Sequence, residues 1–354
     1  MNRNKTVAVA MSGGVDSSVA AALLLKEGYE VIGVTMRLWV DENAGFVTGY
    51  NQTPELDAAR VAAILGIRHY VFDFRDYFKK TIVDYFVGEY QAGRTPNPCV
   101  CCNRKLKFGA LFDEALKVGA DFIATGHYAK IMEDDEGFRR ISIARSRAKD
   151  QSYVLYHLGQ EILLHTIFPL GDYDKEQVRQ MAKEFQLPVF AKKDSQEICF
   201  IPDNDHHRFL IALTKEEKGP IVNASGKLLG WHRGISHYTI GQRKGLGIAS
   251  AQPLFIIKID AGRNTIVLGT ASEAARNEML VKDVTFSNGR LLEQIIPAQV
   301  KIRYNAKPVR ATITPTDKQG EVMVLFSCPQ RGIAPGQSAV FYQGDFCIGG
   351  GVIV

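Results

Sequence analysis

Long apolar runs are missing from this chain. Although 46% of its 354 residues are hydrophobic, no uninterrupted stretch approaches the ~20 residues that a membrane-spanning helix needs. Met1 to Lys5 lead straight into a strand pattern, with neither the apolar core of a secretory signal nor an Arg- and Ser-rich transit segment. A cytoplasmic chain is therefore expected. Cysteine numbers only six, which in a reducing compartment argues against a structural disulfide framework and turns attention to metal or redox chemistry. Acidic residues are absent between Lys218 and Lys258, where Lys218, Lys227, Arg233, Arg243, Lys244 and Lys258 stand unopposed, and between Tyr90 and Phe112, which holds Arg94, Arg104, Lys105 and Lys107. The net charge is only +5, so this clustering, rather than the overall balance, points to a polyanion partner. Internal repeats and low-complexity segments are lacking too, and the length suits two or three domains.

What is present begins with Ala8 to Ser18, Ala-Val-Ala-Met-Ser-Gly-Gly-Val-Asp-Ser-Ser. Thr6 to Met11 reads as a buried parallel strand and Ser17 to Lys26 as a helix, so a glycine pair and several hydroxyls stand where the strand turns into the helix. The free N–H groups and positive end of such a helix suit an anion, and Gly13 and Gly14 allow its close approach. No Lys follows the glycines, which excludes the GxxxxGK[ST] loop. The Ser-Gly-Gly-Val-Asp-Ser-Ser string resembles the PP-loop of ATP pyrophosphatases. Asp16 is then read as a group that positions Mg²⁺ or phosphate.

Strand and helix patterns alternate through the first part: a strand at Val31 to Leu38, a helix at Leu56 to Leu65, a strand at His69 to Phe74, helices at Tyr77 to Tyr90 and Asn103 to Val118, and a strand at Asp121 to Thr125. This predicts a parallel sheet covered by helices. A hairpin is expected within Ile131 to Arg145, and further helices near Val154 to Leu164 and Asp174 to Phe185. After Pro202 short β-like runs between glycine-rich turns mark a small second domain, and from about Leu280 regularly spaced strands predict a terminal barrel. The expected division is a catalytic α/β domain at 1–202, a central β-rich domain at 203–277 and a C-terminal β-barrel at 278–354.

Two motifs carry cysteine. In Thr95-Pro-Asn-Pro-Cys-Val-Cys-Cys-Asn-Arg-Lys, Pro96 and Pro98 predict an extended loop and Asn103 a helix cap. Cys102 would then sit beside a helix N-terminus near Arg104 and Lys105, which favours the thiolate and makes it a candidate nucleophile. Cys199 lies in Lys193-Asp-Ser-Gln-Glu-Ile-Cys-Phe-Ile-Pro. Cys328 and Cys347 are expected to be packing residues of the barrel.

These motifs, together with Ala-Thr-Gly-His-Tyr-Ala, Lys-Asp-Gln-Ser-Tyr, Tyr-Thr-Ile-Gly-Gln-Arg-Lys-Gly-Leu-Gly and the closing Arg-Gly-Ile-Ala-Pro-Gly-Gln with its later Gly-Gly-Gly, occur in the order that resembles bacterial tRNA-specific 2-thiouridylases. The resemblance implies an adenine nucleotide alpha hydrolase-like first domain and a terminal barrel similar to the second domain of elongation factor Tu. It implies ATP with Mg²⁺ as cofactor, and adenylation of the C2 oxygen of an anticodon wobble uridine followed by its replacement with sulfur. The implied partners are tRNAs for Glu, Gln and Lys and a sulfur-donor protein, either a cysteine desulfurase or a relay protein.

Carried over by matching positions, ATP binding falls to Ala10, Met11, Ser12, Gly13, Gly14, Val15, Asp16 and Ser17, with Met36 at the adenine and Gly126 in a second nucleotide loop. Asn97, Pro98 and Cys99 match the stretch that meets the target base. Lys149, Asp150, Gln151, Arg303 and Tyr304 match tRNA contacts. The resemblance makes Cys199 the persulfide carrier and Cys102 the nucleophile, with a transient disulfide between them. His127 is open to two readings, substrate contact or a packed turn.

The family commonly has an acidic residue where this chain has Cys99. Cys99 and Cys102 at CxxC spacing, with Cys199, would suit a four-iron, four-sulfur cluster with one open iron, zinc being the competing metal. Cluster and two-cysteine relay stand side by side as expectations. A second departure, at Asn51-Gln52-Thr53, has no physical account. The alternatives to thiolation are another adenylating enzyme of the PP-loop class acting on RNA, or a non-catalytic RNA-binding module.

Overall fold

The computed structural model describes residues 5–41, 53–192, 198–201, 203, 205–214 and 217–354. Asn51, Gln52 and the part of the second cysteine motif from Lys193 to Glu197 lie outside the described residues. The N-terminal part supplies β1 (Thr6–Ala10), β2 (Glu30–Arg37), β3 (Arg68–Asp73), β4 (Phe122–Thr125), a hairpin of β5 (Ala129–Glu133) and β6 (Arg139–Ile143), and the short β7 (Thr166–Ile167). Its sheet has the order β3-β2-β1-β4-β7, and every pair in it runs parallel. The order reverses between β1 and β4. In such a sheet the crevice for a ligand opens beyond the C-terminal ends of those two strands.

The covering helices are α1 (Val15–Lys26), α2 (Pro54–Leu65), a long helix of α3 (Arg75–Phe78) and α4 (Asp84–Gln91) joined by a π-turn, α5 (Pro98–Cys102) running through π-helical Asn103–Ala110 into α6 (Leu111–Lys117), then α7 (Gln160–Leu163), α8 (Lys175–Glu184) and α9 (His206–Leu213). α1 is buried at Val15 and from Ser17 to Leu24, which explains its run of Ala and Leu. α2 starts where Thr53 accepts a hydrogen bond from the N–H of Leu56 and stops at Gly66, whose φ of 68° lies in the left-handed region. α8 opens on a capping box between Asp174 and Gln177 and packs against α1. The helix expected at Val154 to Leu164 is instead a 3₁₀ turn at Ser152–Leu155 followed by the four-residue α7. Ser152 to Leu158 are all buried, so no amphipathic face sustains a longer helix.

The middle part forms a sheet ordered β10-β11-β8-β9 from β8 (Gly219–Asn223), β9 (Leu228–His232), β10 (Phe255–Asp260) and β11 (Thr265–Gly269), over its own core of Ile221, Tyr238, Ile256, Ile266 and Leu268. The C-terminal strands β12 (Ala275–Phe286), β13 (Ile296–Lys301), β14 (Val309–Pro315), β15 (Val322–Arg331), β16 (Ser338–Gln343) and β17 (Phe346–Ile353) close into an antiparallel barrel through the β12–β17 pairing. β6 pairs with β17, Cys347 opposite Ile141, so the hairpin welds the first domain to the barrel. The closing glycines have a steric reason: a Cβ on Gly350 would stand 2.8 Å from the Tyr156 ring. Cys347 is buried as expected, but Cys328 is exposed, because β15 runs on past Phe326, the last of its residues paired with β14.

Candidate active site

The glycine loop continues β1, with the Met11 N–H donating to the Val34 carbonyl at 2.8 Å and the Thr35 hydroxyl donating to the Met11 carbonyl at 2.8 Å. Gly13 has φ 67°, and a Cβ there would lie 2.5 Å from the Pro54 carbonyl oxygen, so only glycine fits. Across the crevice, a Cβ on Gly126 would lie 2.7 Å from the Ser17 nitrogen and 2.8 Å from the Asp16 carbonyl carbon. The residue after β4 therefore packs directly on the loop. The Ser12 N–H donates to Ser17 Oγ at 3.2 Å, and Ser18 Oγ donates to the Gly14 carbonyl at 2.7 Å. These hydroxyls hold the loop's own shape. Ala10, Met11 and Val15 are packed beneath it, and Met36 is half-buried near the end of β2.

Asp16 accepts from the Tyr128 hydroxyl at 2.8 Å and from Lys175 Nζ at 2.7 and 2.8 Å. Lys192 Nζ donates to the Gly13 carbonyl at 2.9 Å and to Asp57 at 2.8 Å. None of Tyr128, Lys175 and Lys192 was singled out from the sequence. Tyr128 lay inside a recognised motif, but the lysines come from a segment without one.

At the first cysteine motif the structure corrects the expected cap. The helix begins at Pro98, and Asn97 Oδ1 accepts from the Val100 N–H at 3.2 Å. Asn103 is buried inside and donates to the Val154 carbonyl at 3.0 Å. Cys102 thus lies within the helix and not beside its start, packed among Phe78, Phe86, Phe200 and Phe209. Burial pushes its thiol up to about 12, the opposite of the expected thiolate.

The ring of Phe200 lies edge-on to Phe78 at 5.7 Å and to Phe86 at 5.5 Å, in the cluster that also buries Cys102, which brings its neighbour Cys199 within reach of that thiol's charge. Cys199 and Cys99 are exposed residues, yet surrounding protein desolvates their sulfurs. The Cys199 thiol rises to about 11 and that of Cys99 rises as well. Cys102 feels the charges of both Cys199 and Cys99, and Lys107 opposes the rise at all three. Lys107 follows Cys102 by five residues, the hydrogen-bond spacing of the π-helix that carries it, and stands near enough to act on all three sulfurs. Cys101 turns away, its Sγ 3.6 Å from the Thr81 carbonyl. Among the described residues no three His, Cys, Asp or Glu side chains are gathered as a metal requires. The three cysteines are neighbours without being a ligand set.

The loop before these cysteines is where all three parts of the chain meet. The Thr95 N–H donates to the Pro335 carbonyl at 2.8 Å, the Thr95 hydroxyl donates to Thr239 at 3.1 Å, and Gln337 donates to the Thr95 carbonyl at 2.9 Å. Arg303 is exposed just beyond β13. Tyr304 donates to the Asp150 carbonyl at 3.0 Å and senses the charge of Cys99. Asp150 and Gln151 are committed internally, Asp150 accepting from the Ala144 and Ser152 N–H groups and Gln151 from that of Tyr128. Arg94 is not unopposed, since Glu89 pairs with it. His127 is buried, its pKa driven well down by burial, with Nδ1 2.6 Å from the Thr125 hydroxyl and its ring against Phe108 and Phe168. It fills a packed turn.

The fold and site define an α/β nucleotide-binding protein of the PP-loop type, with two β domains and a group of three neighbouring thiols. Family models described as tRNA methyl transferase HUP domain, tRNA methyl transferase PRC-barrel domain and aminomethyltransferase beta-barrel domain match residues 5–203, 207–270 and 276–353. A tRNA-specific 2-thiouridylase MnmA of Acetivibrio thermocellus is 49% identical over 99% of both chains, and one of Clostridioides difficile is 48% identical over 100% of this chain and 99% of its own. The chain belongs to the tRNA-specific 2-thiouridylase family. Among solved structures, a 4-thiouridine synthetase–RNA complex with bound ATP overlaps 56% of this chain and 46% of its own, at 18% identity and a TM-score of 0.35. No helix of the described residues is long and apolar enough to cross a membrane.

Proposed function

We propose that the chain is an ATP-dependent tRNA sulfurtransferase that adenylates the C2 oxygen of the anticodon wobble uridine and replaces it with sulfur, releasing AMP and pyrophosphate. The observation that carries this reading is the turn at Gly126 and His127. Gly126 packs on the backbone of Asp16 and Ser17, while His127 rests on Phe108 and senses Lys107, the cation that also faces the three cysteines. Activation and sulfur transfer need an anion site and a thiol site within reach of one base, and this turn stands between them. A base paired in a helix would be out of reach of both, which suits a loop nucleotide splayed from its stack.

The C2 oxygen is a poor leaving group until it bonds to the α-phosphorus of ATP and pyrophosphate departs. N–H groups of the first turn of α1 favour the charge that develops there. Asp16 presents its carboxylate in the first turn of α1, a donor that fits a Mg²⁺ held mainly by substrate phosphates and water; when bound, the ion would supply charge neutralisation.

Cys199 then attacks C2 through the terminal sulfur of a persulfide, loaded by a cysteine desulfurase or relay protein, and AMP leaves. The Cys102 thiolate attacks the Cys199 sulfur and breaks the S–S bond. The terminal sulfur stays on C2, a Cys102–Cys199 disulfide forms, and a dithiol reductant restores both thiols. Burial holds the Cys102 thiol well above its ordinary value and so disfavours the thiolate at rest, and Lys107 is the cation that favours its ionisation.

Cys99 favours a second reading, an iron-sulfur cluster at Cys99, Cys102 and Cys199. As the three stand they form no ligand set. Methyl transfer, the wording of the family models, would leave the pyrophosphate loop and the second thiol without a task. The decisive assay is pyrophosphate release with and without tRNA, alongside mass spectrometry of the tRNA. Release only with tRNA, together with a gain of sulfur in place of oxygen, is the expected result, and tRNA-independent release without thiolation overturns it.

A further inference from the structure

The loop that meets the nucleotide contains no cation, since Ala8 to Ser18 hold neither Lys nor Arg. Two carboxylates nevertheless face it. Asp16 lies in the first turn of α1, and Asp57 packs so close to the loop that a Cβ on Gly13 would stand 3.1 Å from its own Cβ. Left alone, these charges would repel a polyphosphate. We propose that Lys175 and Lys192 are the phosphate-binding cations of this site, delivered from beyond the sheet to pair with the departing pyrophosphate. The proposal rests on the reading of the loop as an ATP site and adds the residues that make it attractive to an anion.

Both ammonium groups already touch the loop. Lys175, the first residue of α8, is brought there by the packing of α8 on α1, and its side chain is 14% exposed with Nζ 2.7 Å from Asp16. Lys192 follows α8 and spends two of its three N–H donors on the Gly13 carbonyl and Asp57. Among the described residues nothing takes its third. A flexible side chain ending in a compact charge suits an anion whose position shifts as a bond breaks. Lys192 also lies seven residues before Cys199, so one segment serves both the phosphates and the sulfur.

The alternative is that each lysine only cancels its carboxylate. Calorimetric titration of the full chain with metal-free inorganic pyrophosphate separates the two, with adenosine as control and thermal melts to verify folding. Lys175→Gln and Lys192→Gln should each weaken pyrophosphate binding roughly ten- to a hundredfold and leave adenosine binding unchanged. The double variants Asp16→Asn/Lys175→Gln and Asp57→Asn/Lys192→Gln should not recover, whereas Lys175→Arg should retain most of the affinity. Wild-type affinity in the single variants, or its return in the double variants, overturns the proposal while leaving the ATP site intact. A wild type that binds neither pyrophosphate nor ATP overturns the reading of the loop and the proposal with it. Should Lys175→Gln fail to fold, Lys192, whose side chain is 42% exposed, carries the test.

Discussion

Tyr128 donates its hydroxyl to Asp16 at 2.8 Å while its own N–H donates to Gln151 Oε1 at 2.9 Å and its carbonyl accepts from the Gln151 N–H at 2.8 Å. With Tyr304 of the barrel donating to the Asp150 carbonyl at 3.0 Å, a chain of hydrogen bonds and adjacent residues runs from the C-terminal domain to the nucleotide loop. The loop at Lys149 to Gln151, matched from the sequence to tRNA contact, is therefore also the link that holds Asp16 in place.

Tyr128→Phe should slow pyrophosphate release and lower stability by about 1 to 3 kcal/mol, the worth of a hydrogen bond to a charged acceptor. Asp16→Ala should abolish release while tRNA retention on filters stays near wild type, because Asp16 acts on the phosphates and not on RNA. Full pyrophosphate release by the Asp16 variant would refute the assignment of the loop.

For the cysteines, Cys102→Ala and Cys199→Ala should each give no thiolated tRNA, and Cys101→Ala should behave as wild type because its Sγ is turned toward Thr81. Cys99 decides between the two sulfur routes. Thiolation by Cys99→Ala at the wild-type rate supports the relay, whereas loss of both activity and reconstituted iron in that variant supports a cluster.

Burial, and after it the charge of Arg104, drives His157 from the ordinary 6.5 down to about 3. Because the unfolded chain binds this proton more tightly, the associated stability is complete above about pH 6.5 and is lost as pH falls toward 3, by up to about 1.4 kcal/mol per pH unit. His157→Leu should move the midpoint of acid unfolding to lower pH. An unmoved midpoint would assign the acid limb to other groups.

Salt dependence tests the basic stretch from Lys218 to Lys258. Arg243 and Lys244 are exposed, and tRNA affinity should fall with salt by roughly 0.7 to 0.9 logarithmic units per decade for each phosphate neutralised. Arg243→Glu and Lys244→Glu should flatten that slope. Affinity independent of salt in the wild type would leave these residues as surface charge.

Much of the architecture was legible in the chain itself. Apolar runs at strand length, the glycine pair before an Ala- and Leu-rich stretch, and regular strand spacing after Leu280 are local signals, and local sterics and burial translate them directly into β1, α1 and the barrel. The residues of the nucleotide loop and the two cysteine motifs were readable for the same reason, as contiguous strings. Electrostatics were not. Cys102 looked like a thiolate beside a helix end, but Asn97 starts the helix earlier and the aromatic cluster around Phe200 desolvates the sulfur. Lys175 and Lys192 carry no motif and reach Asp16 and Gly13 only because α8 packs on α1. Charge and solvation depend on everything within several ångströms, and residues more than a hundred positions apart enter that radius only in the folded chain.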